Sequence, residues 1–153
     1  MKERDFGDFL ELLRLSNHLK ANSLPLNEIE LRKLLPFLAI VETNLHIANK
    51  NRYIELLNNY LKQSATSEQF LIAFIDLYKK INYELNNLTS DIDRNQEILK
   101  NLLYENYNET IADLLMLTYG DSENFGLDSK SLYEDEIELK QHVKKLVDKL
   151  QKV

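Results

Sequence analysis

The chain has 153 residues, with 19 Lys and Arg against 25 Asp and Glu, a formal net charge of −6, and neither cysteine nor tryptophan. That length suffices for one domain with a real core. The missing cysteine excludes disulfides, thiolate metal sites and a cysteine nucleophile, and the acidic balance argues against a direct phosphate-binding surface.

Thirty Leu and 11 Ile against four Val, three Gly and two Pro favour helix over turn-rich sheet. The opening MKERDFGDFLELLRL breaks its apolar run with acids, unlike a secretory signal, and no run reaches membrane-spanning length. The expectation is a soluble, cytoplasmic protein with no membrane contact. Phe6, Phe9, Leu10, Leu13 and Leu19 have helical spacing, which predicts a first helix over about 4–20 that stops before the turn-like ANSLPL. Asn27 and Glu30 have capping-box spacing and open a second helix, which Pro36 is expected to bend or divide near Leu35. A third segment carries Tyr53, Leu56, Leu57, Tyr60 and Leu61 and halts in KQSATS, where Thr66 and Gln69 form a second candidate capping box.

The strongest stripe is Phe70, Phe74, Leu77, Ile81, Leu85 and Leu88, which predicts the most buried helix. Ser90 or Asp91 can cap the next helical segment. Leu99, Leu102, Leu103, Tyr107, Ile111, Leu114, Leu115 and Thr118 keep helical spacing as one helix or as two joined near 106–108, with Gly120 as the C-terminal stop. An irregular loop is expected from 120 to about 133, and a last helix carries Ile137, Val143, Leu146, Val147 and Leu150. The fold class is therefore all-α, a single domain over 1–153 built as a bundle of five to seven mostly antiparallel helices, with 1–50 as an N-terminal extension of a 53–153 bundle.

Chemistry-bearing motifs are scarce. His18, His46 and His142 fall in separate helices without metal-ligand spacing and read as surface or boundary residues. Asp91 and Asp93 form a DxD that lacks the remaining positions of a calcium loop and reads as helix capping. Ser129 and Ser131 lack a nucleophile-elbow context, and no glycine-rich phosphate loop exists. Most of the eight tyrosines sit at core spacing, where they fill volume rather than stack on bases. No enzyme, catalytic residue, metal site or cofactor is expected.

Charge is the remaining signal. From Gly120 to Glu138, seven acids face only Lys130, and five lysines follow from Leu139 onward. Acids at a helix start and lysines toward its end complement the helix dipole. That accounts for Glu134, Asp135 and Glu136 but not for Asp121, Glu123 and Asp128, which precede the last helix. A concentrated negative field of this kind steers association with a cationic protein surface.

Two stretches, LLNNYLKQSATSEQFLIAFIDLYKKI and NFGLDSKSLYEDEIELKQHVKKLVDKL, resemble the colicin D-type immunity proteins. The first is similar to that family's short apolar helix, small polar step and helix led by an acid and Phe, here Glu68, Gln69 and Phe70. The second is similar to its late acidic loop, Tyr and terminal helix. The resemblance covers about 53–153. It implies a cytoplasmic inhibitor that covers the catalytic, tRNA-binding surface of a cognate toxin nuclease domain with a phosphate-mimicking face, without touching nucleic acid directly. The corresponding positions are Asp121, Glu123, Asp128, Tyr133, Glu134, Asp135 and Glu136. The competing reading is a non-catalytic helical interaction or regulatory subunit that binds a partner through an apolar groove.

Overall fold

The computed structural model describes the backbone over 3–105, 107–126 and 132–153, and the side chains of these residues except 3, 4, 132 and 133. Seven helices and no strand occur among the described residues: α1 Glu3–Ala21, α2 Glu28–Ala48, α3 Lys50–Leu61, α4 Ser67–Ser90, α5 Ile92–Tyr104, α6 Glu109–Asn124 and α7 Leu132–Gln151. The all-α expectation holds, and no described helix is long and apolar enough to cross a membrane.

Local chemistry sets the helix ends. Asn27 accepts the Glu30 backbone N–H at 2.8 Å while its amide reaches back to the Glu30 carboxylate. At the start of α4 the Thr66 backbone N–H donates to the Gln69 side-chain oxygen at 3.0 Å, and the Gln69 backbone N–H donates to Thr66 Oγ1 at 3.1 Å. Each box satisfies donors that a helix start leaves unpaired. Asp91 caps α5 by accepting from Arg94, and Asp93 bonds Arg14 at 3.1 Å, so the DxD serves helix ends and an ion pair. Asn108 caps α6 by accepting the Ile111 N–H at 3.0 Å, which makes the stretch after Asp91 two helices. α1 and α3 close with backbone bonds from Leu24 to Leu19 and from Ser64 to Asn59, and place Ser23 and Gln63 at positive φ.

Of the two outcomes expected at Pro36, division does not occur: α2 runs through this residue, which is exposed, so water can satisfy the carbonyl the proline leaves without a partner. Two other expectations need correction. α6 continues through Gly120 to Asn124 and gives way at Gly126, whose φ of 76° is the left-handed conformation glycine adopts without strain. Positions 120–124 are thus helical rather than loop. In α7 the buried face is Leu139, Val143, Leu146, Val147 and Leu150, while Ile137 points outward.

The chain divides into two compact units that interleave in sequence: 1–45 with 82–107, and 46–81 with 108–153. α2 and α4 therefore contribute residues to both. In the first unit α1 packs on α5, and Phe9, Leu13, Leu34, Val41, Leu99 and Leu103 are buried. Phe9 and Phe37 meet with ring centroids 5.7 Å apart. Asn44, also buried, donates its amide to the Leu102 carbonyl at 2.7 Å and to that of Glu105 at 3.2 Å, capping the end of α5. In the second unit α7 packs on α6 and α3, around buried Tyr53, Leu57, Tyr60, Phe70, Phe74, Ile81, Ile111, Leu139 and Leu146.

The histidine reading is corrected at one position. His46 is buried, bonds the Tyr53 hydroxyl and stacks on Tyr78 at 4.6 Å between centroids. His18 is exposed as expected. The tyrosines divide: Tyr53 and Tyr60 are buried, whereas Tyr83 and Tyr107 are exposed.

Candidate functional site

α6 positions the most distinctive surface of the second unit. Its buried side is Ile111, Leu114, Leu115, Thr118 and Ser122, and the two hydroxyls return bonds to the carbonyls one turn back, each at 2.8 Å. At 100° per residue the opposite side is Glu109, Asp113, Met116, Leu117, Gly120, Glu123 and Asn124. Met116 is 66% and Leu117 48% exposed, and the three acids are exposed with them. The sequence ETIADLLMLTYGDSEN has four acids and no basic residue, so no lysine or arginine of its own balances this face. At its rim Tyr119 bonds Glu123 and stacks on Tyr78 at 4.3 Å. Desolvation, and then the Glu123 charge, push the Tyr119 hydroxyl above its ordinary pKa.

The acids singled out in the sequence sort into two kinds. Asp121, on the flank of α6, contacts His142 of α7, with both side chains less than a fifth exposed. Asp135 is buried in the first turns of α7 and accepts the Gly126 N–H at 2.9 Å. These two hold the α6–α7 corner together, which supplies the local reason for Asp121 that the sequence did not show. Glu123 and Glu134 face outward, and half-buried Glu136 pairs with Lys140 at 3.0 Å. Asp128 and the Tyr133 side chain lie outside the described residues.

Beside Glu136 is a cleft of about 750 Å³ lined by Tyr60, the 63–69 turn, Phe125 and Lys140. The Lys140 ammonium lies 5.9 Å from the Tyr60 ring centroid, and the Tyr60 hydroxyl meets Ser67 Oγ at 2.8 Å. Its bond to Glu136 raises the Lys140 pKa, and burial raises that of Tyr60. Both groups keep their protons at neutral pH, so neither supplies a base.

Sequence reasoning missed Glu109, Asp113, Met116 and Leu117. The signal was present in the spacing 109, 113, 116, 117, 120 and 124, which marks one helix face as clearly as the apolar stripe marks the other. Leu114 and Leu115 drew attention to the core, and Met116 and Leu117 look like its continuation.

No protein-family model, no curated protein and no solved structure matches the chain.

Proposed function

We propose that the protein acts by binding a basic protein surface, and that its partner is the nuclease domain of a tRNA-cleaving toxin that it neutralises. The observation that carries this reading is the outward face of α6, where Met116 and Leu117 stand exposed among Glu109, Asp113 and Glu123 with no basic residue in the helix. An apolar centre inside a charged rim is the anatomy of a protein interface. The sign of the rim selects a cationic partner and steers its approach. A toxin surface that binds tRNA phosphates has that character, and the resemblance of 53–153 to colicin D-type immunity proteins supplies the partner class. Glu134, exposed in the first turn of α7, adds to the negative charge of the second unit.

The test is inhibition of tRNA cleavage by the toxin domain whose gene is expected to adjoin this one. Replacing Glu109 and Glu123 with Gln and Asp113 with Asn is expected to slow association and flatten its salt dependence, with little change in melting temperature. Asp135→Asn should do the reverse, lowering the melting temperature through the weakened bond to Gly126 and leaving association intact. Unchanged association and protection in the α6 variant would overturn the assignment of this face.

A second reading is supported by a groove in the first unit. It is about 640 Å³ and runs between α1 and α2, with Leu12, Leu15, Pro36 and Phe37 in its lining and Asp8, Glu11, Arg32 and Lys33 at its edges. Such a groove suits an amphipathic helix of a regulatory partner. Loss of protection in a Leu12→Ser, Leu15→Ser variant that folds normally would favour this face over α6.

A further inference from the structure

Asp121 descends from the last turns of α6, and Glu138 and His142 lie one turn apart on α7, so the packing of α7 on α6 brings three chemically different ligand groups to one place. A carboxylate oxygen of each acid and an imidazole nitrogen lie within 4.8 Å of one another, and all three residues are half-buried. We propose that Asp121, Glu138 and His142 form a binding site for a divalent zinc ion.

Bonds from zinc to imidazole nitrogen and carboxylate oxygen are about 2.0–2.2 Å long. Three ligands on one ion then lie roughly 3–3.5 Å apart, against the 4.8 Å within which the three ligand atoms lie here. Two carboxylates and one neutral imidazole carry two negative charges, which a dication cancels. The donor set points to zinc over magnesium or calcium, because those harder ions take oxygen ligands, six or more for calcium, and gain nothing from an imidazole. Glu138 and His142 at i and i+4 lie on the same side of α7, and partial burial keeps the competing water shell thin. Three protein ligands leave a position open for water or for a donor from outside the chain. The His142–Asp121 contact alone offers two donors, and Glu138 supplies the third that a tetrahedral ion requires of a protein site.

The site is independent of toxin binding and is tested on the isolated full-length protein. After dialysis against a chelator, zinc chloride is titrated by calorimetry, with the melting temperature followed in parallel. Saturable 1:1 binding with a raised melting temperature is expected, and magnesium chloride should produce neither. His142→Ala should abolish the binding, and Glu138→Gln should weaken it by at least the roughly 10–100-fold that loss of a supporting metal-site contact brings. Glu138→Gln keeps the His142–Asp121 contact, so it separates a lost ligand from a loosened fold. Exposed His18→Ala should leave the affinity unchanged. The proposal is overturned by the absence of saturable zinc binding, or by equal affinity in the unaltered protein and in Glu138→Gln.

Discussion

His46 Nδ1 lies 2.7 Å from the Tyr53 hydroxyl, across the single residue Asn49 that separates α2 from α3. Both side chains are buried, and the bond fixes the end of the second helix against the third. Tyr53→Phe keeps the ring and removes only the oxygen that meets His46 Nδ1, inside the buried core. The expected cost is about 1–3 kcal/mol, read as a lower urea midpoint with an unchanged slope. An unchanged midpoint would mean the bond contributes nothing to stability.

Two glycines at one helix should respond to alanine in opposite senses. Gly120 lies inside α6, and a Cβ there would meet nothing within 4 Å. Gly120→Ala is expected to stabilise by about 0.5–1 kcal/mol. Gly126 has a φ of 76°, so Gly126→Ala should destabilise by about 1 kcal/mol or more. Thermal melts of the two variants check the pair, and a shift of the same sign in both would contradict the assigned end of α6.

The same glycines show what the sequence could and could not tell. The capping boxes at Asn27–Glu30 and Thr66–Gln69 were legible because both partners lie within four residues and their chemistry is local. Gly120 looked like a stop because a mid-helix glycine costs up to about 1 kcal/mol. That cost is offset by contacts the sequence does not display, Thr118 and Ser122 buried beside it and Asp121 against His142. Asp135 is a similar case. An acid in a helix's first turn reads as a dipole complement, and only the fold shows its oxygen turned back to Gly126. His46 eluded the apolar pattern because its partner stands seven residues on, beyond a helix break. The outward face of α6 was legible in spacing, whereas the meeting of Asp121 with Glu138 and His142 depends on how two helices pack.

Stability should also depend on pH through Glu42. Burial raises this carboxyl above its ordinary value, where Leu13, Leu34, Leu38 and Ala39 line the same depression. The native state then binds the proton more tightly than the unfolded chain does. The resulting stabilisation is complete below the unfolded pKa, near 4.5, and is lost as pH rises through the higher folded value. Above that folded value the native state holds a carboxylate where burial disfavours charge. Glu42→Gln is therefore expected to raise the melting temperature at pH 7 and to lose that advantage near pH 4. A gain of equal size at both pH values would point to packing rather than to charge.

Removing residues 1–45 tests the interleaved units. The fragment retains every residue of the second unit, so hydrogen exchange should still show protection in α3, α6 and α7. α5 loses α1, its packing partner, and also Asn44, whose amide caps its last carbonyls. Exchange throughout α5 should therefore become fast. Full protection of α5 in the fragment would show that the first unit does not need its N-terminal helices.

With eight tyrosines and no tryptophan, phenol rings dominate the intrinsic fluorescence of this chain. One of them, Tyr119, lies against Tyr78 and holds its hydroxyl to Glu123 at the rim of the acidic face. A carboxylate that accepts a phenol's proton quenches its fluorescence, and a lysine or arginine arriving at that carboxylate loosens the hold. The surface proposed to meet a partner thus carries its own optical reporter, and docking should brighten the unlabelled protein.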